Sequence, residues 1–164
     1  MIFDTRTGND SSTHSPAGFM DKSKELTAHI KLINNKLHFS GTVEGNEPVS
    51  IDYIPPLGDN LGYTSLELLL LSLSSCLGSA LLLFLRRMGK SITNFEISAK
   101  GFRKDVHPTG FSRILLHIAI TSENIANEDL DKVLQLAEET YCPVWSMLKG
   151  NVDMEVTYSI YGQS

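Results

Sequence analysis

An uncharged stretch rich in leucine and serine is the feature that most constrains the fold. No charged side chain occurs between Leu68 and Leu85, and Arg86 and Arg87 follow at once. This is about the minimum length of a membrane-spanning helix, and the basic flank fits that alternative. Four serines interrupt the stretch, however, and Glu67 directly precedes it. We therefore interpret it as the long buried central helix of a soluble domain.

Local signals mark both ends of this helix. Thr64 and Glu67 form a T-x-x-E capping box, in which each side chain accepts a hydrogen bond from the backbone amide of the other residue. Gly89 ends the helix, because a residue without a Cβ is favoured after the last turn. Cys76 falls in the middle of a stripe of small polar residues, and leucines occupy most of the remaining surface. The pattern predicts a helix that protein covers on nearly all sides.

Alternating apolar and polar residues predict three strands before the helix. Residues 25–33 and 36–44 read as a hairpin, with Asn34-Asn35 between them as a two-residue turn. Residues 49–53 add a short third strand.

Strands and a second helix are predicted after the central helix. Large apolar residues recur at every second position in residues 95–99 and 114–120, and residues 152–161 alternate apolar with polar residues most clearly. Asn127 is expected to cap a helix that runs to about Tyr141. The order predicts an α+β fold with mainly antiparallel sheets, a long buried central helix and a second helix.

Composition limits the classes of partner and site. With 14 Lys and Arg against 19 Asp and Glu, the formal charge of −5 argues against nucleic acid as a partner. The two cysteines lack a CxxC or zinc-ligand spacing and the five histidines are scattered, so we expect no metal and no cofactor. We expect one cytoplasmic domain over residues 25–164. Residues 1–24 read as a disordered leader or a remnant of cloning.

Cys142 precedes Pro143, which favours a new helical turn over residues 143–148 with Cys142 as its cap. The free amides and helix dipole at such a position lower the pKa of a thiol, so Cys142 is a candidate reactive group beside Cys76. The alternative is that both cysteines are inert, buried apolar groups. Tyr141 and Trp145 flank Cys142 and are candidates to line an apolar pocket.

Two cysteine motifs carry a resemblance to a known family. Ser65-Leu66-Glu67-Leu68-Leu69 followed by Ser74-Ser75-Cys76, and then Cys142-Pro143-Val144, resemble the motifs of the OsmC/Ohr family. The similarity extends from about Leu26 to Tyr161 and includes the order of the elements. It implies an OsmC-like intertwined homodimer with no membrane span, in which each of two interface sites holds both cysteines.

The resemblance also implies an activity. Cys76 would attack a small-molecule substrate, an organic hydroperoxide or hydrogen peroxide, and Cys142 would resolve the resulting sulfenic acid into a disulfide that a dithiol reductant reopens. The alternative is a non-catalytic member of the fold that binds an apolar small molecule at the dimer interface.

The sequence departs from the family pattern at two supporting positions. Active relatives carry an arginine on the early strands, whereas this chain has none between Arg6 and Arg86. Lys31, Lys36 or His38 are the candidates to replace it. The glutamate of the family pattern aligns with the position before Glu67, so Glu67 is a candidate supporting residue as well as the capping acid.

Overall fold

The structure is a computed structural model that describes residues 24–162. The chain divides into two compact units, Met1–Leu61 and Gly62–Ser164. The predicted α+β class with mainly antiparallel pairing is confirmed. The predicted leader lies outside the described residues except for Lys24.

The first unit is a three-stranded antiparallel sheet in the order β1-β2-β3. Its strands are β1 (His29–Leu32), β2 (Phe39–Thr42) and β3 (Val49–Ile51). The predicted hairpin is confirmed, but its two-residue turn is wrong. The Ile33 amide donates to the carbonyl of His38, so four residues lie between them, and the Asn34 side chain accepts from the amides of Lys36 and His38. These side-chain bonds stabilise a longer turn than the Asn-Asn pair predicts.

A buried carboxylate organises the loop after β3. The side chain of Asp52 accepts hydrogen bonds from the amides of Tyr53 at 2.8 Å and of Asp59 and Leu61 at 3.0 Å each. Burial acts to raise the pKa of Asp52, and the three amides together outweigh it and lower the pKa. Gly58 permits this arrangement, because a Cβ there would lie 2.1 Å from the carbonyl oxygen of Tyr53.

The second unit places a long helix against a three-stranded sheet. Its first elements are α1 (Ser65–Arg87), β4 (Asn94–Arg103) and β5 (Phe111–Thr121), and β4 pairs antiparallel with β5. They are followed by α2 (Asn127–Leu136), a π-helical turn (Ala137–Tyr141), α3 (Pro143–Leu148) and β6 (Asp153–Tyr161). β6 pairs parallel with β5, which makes this sheet mixed.

The predicted ends of the helices are largely confirmed. Thr64 caps α1 in a complete capping box with Glu67, and Gly89 follows the helix with φ +74°. The start predicted for α2 is right, but its predicted cap is wrong. Ala126 is the residue before the helix, and its amide donates to the carboxylate of Asp129 at 2.9 Å. A carboxylate in the first turn thus replaces the expected asparagine side chain.

One face of α1 packs into the core and another is open. From Leu73 onward, every fourth position of α1 is a buried leucine. These leucines pack with the apolar residues of the sheet and α2: Leu73, Leu77, Leu81 and Leu85. Leu71 and Leu83 are 52% and 47% exposed, so the prediction of a helix covered on nearly all sides is wrong for the chain alone. By length and composition α1 also passes as a membrane span, as core helices of soluble proteins do.

Candidate functional site

The two cysteines meet between α1 and the segment that follows α2. Cys76 lies in α1 and is half-buried, whereas Cys142 lies between the π-helical turn and α3 and is 2% exposed. Cys76 lies close enough to Cys142 to raise the pKa of the Cys142 thiol, and both are free thiols. The structure therefore brings the two predicted residues together.

Local backbone geometry places the sulfur of Cys142. The π-helical turn widens the end of α2, and the Cys142 amide closes it by donating to the carbonyl of Ala137 at 2.9 Å. Cys142 then adopts an extended conformation, with φ −106° and ψ 95°, and caps α3 as predicted. The amide of Trp145 donates to the Cys142 Sγ at 3.4 Å. A π-helical turn of this kind is frequent at functional sites.

The electrostatics of Cys142 differ from the prediction. Burial, with the hydrogen bond and the charge interaction with Cys76, raises the pKa of Cys142 to about 12. The amides of Trp145 and Val144 lower it, but they are outweighed. The predicted lowering by the helix cap is therefore wrong, because desolvation of the thiolate exceeds the stabilisation from two amides.

The aromatic neighbours of Cys142 lie in different environments. Trp145 is 5% exposed and belongs to the core, whereas Tyr141 is 52% exposed. The Tyr141 ring packs edge-to-face on Phe84 of α1 with centroids 4.7 Å apart, and the guanidinium of Arg87 lies 5.7 Å from the Phe84 centroid. Phe84 was not among the predicted site residues; it lies eight residues after Cys76, about 80° around α1.

Two of the three candidate supporting residues, Glu67 and Lys36, have partners of their own. Glu67 accepts hydrogen bonds from the Thr64 amide at 2.7 Å and the Thr64 hydroxyl at 2.8 Å, and these bonds lower the pKa of Glu67. Lys36 forms an ion pair with Asp59 in the first unit, and Lys31 is an exposed residue of β1. Glu67, which lies in the same unit as the cysteines, has no bond to either of them among the interactions of residues 24–162.

An apolar groove runs between α1 and β4. Its volume is about 290 Å³ and its lining includes Tyr63, Glu67, Leu71, Ser74 and Ile97. Because Ser74 lies about 160° around the helix from Cys76, the groove faces away from the thiol pair. Among residues 24–162, no group of three or more His, Cys, Asp or Glu side chains is placed to hold a metal ion.

The second unit has a mixed α+β fold. In it, a buried thiol meets a half-buried thiol of the central helix, and this combination defines the structural class of the protein. Comparison with known proteins agrees, since a profile of the OsmC-like protein family matches residues 58–157. The chain belongs to this family. It is 22% identical over 95 residues to protein YhfA of Escherichia coli (strain K12), which covers 58% of this chain and 71% of YhfA.

Two solved structures share the fold. The crystal structure of an OsmC-like protein from Mycoplasma pneumoniae has a TM-score of 0.74 at 18% identity, and the alignment covers 85% of this chain and 99% of that one. An organic hydroperoxide resistance protein from Elizabethkingia anophelis has a TM-score of 0.67 at 20% identity, with coverage of 87% and 100%. Both alignments show that this chain shares the fold of these two proteins.

Proposed function

We propose that this protein is a thiol-dependent peroxidase that reduces organic hydroperoxides or hydrogen peroxide through Cys76 and Cys142. The observation that carries the proposal is that the two thiols lie close enough together for Cys76 to raise the pKa of Cys142. The membership in the OsmC-like family supports the same chemistry. The half-buried position of Cys76 favours it as the group that meets the peroxide, and the burial of Cys142 favours it as the resolving thiol.

The reaction balances with a dithiol as the reductant. The thiolate of Cys76 attacks the nearer peroxide oxygen, the O–O bond breaks, and an alcohol or water leaves after taking up a proton. Cys76 is then a sulfenic acid. The Cys142 sulfur attacks it, the S–O bond breaks, and the proton of Cys142 leaves with the hydroxide as water. A dithiol finally reduces the disulfide and is itself oxidised.

The cationic group that would favour a Cys76 thiolate is a further part of this proposal. Lys36 is paired with Asp59, so Lys31 is the less engaged of the two lysine candidates. Glu67 is held by Thr64, which favours its structural role over a direct one. A lysine gives a point charge in place of the bidentate fork of arginine, so we expect turnover to be slow.

A homodimer completes the proposal. The half-exposed Leu71 and Leu83 form an open apolar face on α1 that a second copy would cover. We propose a soluble cytoplasmic homodimer in which residues 25–164 act as one domain. Light scattering in detergent-free buffer should give twice the mass of the chain, and Leu71→Lys should reduce it to that of the monomer. A detergent requirement would instead favour a membrane role for α1.

A peroxide assay tests the activity. The protein is reduced, freed of reductant under anaerobic conditions and mixed with one equivalent of cumene hydroperoxide, after which free thiols and remaining peroxide are counted. Both thiols and the peroxide should disappear together. Cys76→Ser should leave the peroxide intact, whereas Cys142→Ser should consume it once and stop at the sulfenic acid. Unchanged thiols in the wild-type protein would refute the proposal.

The groove favours a second candidate function. Its apolar lining between α1 and β4 suits an apolar small molecule held at the dimer interface, with the cysteines inert. Binding of an apolar fluorescent dye, measured by titration, should then weaken with Ser74→Trp and persist in Cys76→Ser. Dye affinity unaffected by Ser74→Trp would exclude this groove as the binding site.

A further inference from the structure

The first turn of α3 is capped by one sulfur atom. Pro143 occupies the first helical position and has no amide hydrogen. The amide of Trp145, the third residue of the helix, donates to the Sγ of Cys142 at 3.4 Å. The Ser146 amide donates to the Cys142 carbonyl at 3.0 Å, so the regular helical bonding begins only there.

The cap on α3 matters because this helix is short and one of its side chains is buried in the core. It has six residues, and isolated helices of this length are unstable in water. Trp145, its third residue, is part of the core and is the only tryptophan in the sequence. An amide that loses its acceptor in such surroundings must find water or another partner.

A disulfide competes with this cap for the same atom. When Cys142 bonds to Cys76, its sulfur moves to about 2 Å from the sulfur of Cys76. This movement changes the distance and the angle between the Cys142 sulfur and the amide of Trp145, which donates to that sulfur at 3.4 Å in the reduced protein. The amide of Trp145 then loses its partner.

We propose that the first turn of α3 positions the Cys142 sulfur in the reduced protein and is released when the Cys76–Cys142 disulfide forms. This inference rests on the proposed function. Release of this turn would have a role in turnover, because Cys142 is only 2% exposed while the cap is intact. Loosening of α3 gives a thiolate of the dithiol reductant access to the bridge; its attack breaks the S–S bond, one cysteine leaves as a thiolate, and the second reductant thiol completes the exchange.

Hydrogen exchange of the peptide that covers residues 143–148 tests the proposal. The chain is compared after dithiol treatment, after cumene hydroperoxide and after diamide, which oxidises dithiols without a peroxide, and bridge formation is checked by mass. The bridged protein should exchange about fivefold faster in this segment, as expected for the loss of one helix cap. Emission from Trp145 should shift to longer wavelength in the same samples.

Variants of Cys142 separate the cap from the bridge. Cys142→Ser keeps a cap and cannot form the bridge, so its exchange should stay slow with either oxidant. Cys142→Ala removes the cap and should exchange about fivefold faster without oxidant. Cys76→Ser should match the reduced protein throughout.

The outcomes distinguish this inference from the proposed function. A bridge that forms with diamide but not with the hydroperoxide refutes the peroxidase, while exchange in the diamide sample still decides the fate of α3. A bridged protein with unchanged exchange over residues 143–148 overturns the inference and leaves the peroxidase standing. Failure of both oxidants to form the bridge overturns both.

Discussion

The thiol of Cys142 lies beside the thiol of Cys76, near enough for Cys76 to raise its pKa, and the two thiols are buried to different extents. In this partly buried site, a second negative charge beside the first is unfavourable. A thiolate on Cys76 therefore acts to keep Cys142 protonated. The pair is therefore suited to hold one negative charge at a time. This asymmetry agrees with different roles for the two sulfur atoms in the proposed reaction.

The raised pKa of Cys142 predicts a loss of stability at alkaline pH. Cys142 and Tyr158 both have a pKa raised to about 12, the latter mainly through the hydrogen bond to Asp131. Their unfolded values lie near 8.5 and 10. Because the pKa of each group is higher in the folded state, the stability that the two groups contribute is complete below about pH 8 and is lost as the pH rises toward about 12. Urea denaturation should give a free energy of unfolding that falls over this range.

The double variant Cys142→Ser with Tyr158→Phe is the control for this pH dependence. It removes both titrating groups and should flatten the fall in the free energy of unfolding. An equally steep fall in the double variant would show that other groups are responsible.

The capping box predicts that Thr64 stabilises α1 and that Glu67 has no direct part in the thiol chemistry. Thr64→Ala removes the side-chain acceptor for the Glu67 amide and should cost about 1 kcal/mol of unfolding free energy. Glu67→Gln keeps an oxygen that can accept from the Thr64 amide, so stability should fall by only about 0.5 kcal/mol or less. The rate of thiol loss with cumene hydroperoxide should not change. A large loss of rate in Glu67→Gln would instead assign the carboxylate a direct role.

Close packing at the β4–β5 hairpin predicts a sharp contrast between two glycines. A Cβ on Gly101 would lie 2.2 Å from a ring carbon of Phe111, which is buried. Gly101→Ala should therefore cost about 1–3 kcal/mol through displacement of the ring. Gly110→Ala, where a Cβ would meet nothing within 4 Å, is the matched control and should change stability little. Equal thermal midpoints for the two variants would contradict this packing.

The buried carboxylate of Asp52 predicts sensitivity to acid in the first unit. The pKa of Asp52 is lower in the folded protein than in the unfolded chain. The stability that Asp52 contributes is therefore present above its unfolded-state pKa, and it is lost as the pH falls through its folded-state pKa. Asp52→Asn should speed amide exchange over residues 53–61 and reduce its dependence on acid. Asp59→Asn affects only exposed contacts, the ion pair with Lys36 and the hydrogen bond from the Asn34 side chain, and it should cost at most about 1 kcal/mol. Similar exchange in both variants would contradict the role of Asp52.

The sequence allowed the prediction of those features that depend on neighbouring residues. The bounds of α1 follow from Thr64, Glu67 and Gly89, whose capping chemistry acts within a few positions. The strands follow from alternation, and α3 follows from the Cys142-Pro143 pair.

Other features depend on contacts that the local pattern does not contain. The parallel pairing of β6 with β5 is a matter of topology, which alternation leaves open. The turn after β1 is set by two bonds to the side chain of Asn34. The pKa of Cys142 depends on burial by residues from several elements, so a local cap argument gave the wrong sign.

The bridge itself is the most direct test of the account. The reduced wild-type protein is treated with one equivalent of cumene hydroperoxide, alkylated under denaturing conditions and digested without reductant for mass spectrometry. The account predicts one major cross-linked product that joins the peptides of Cys76 and Cys142 within a single chain. Recovery of both peptides in the alkylated form, with the hydroperoxide unconsumed, would contradict it.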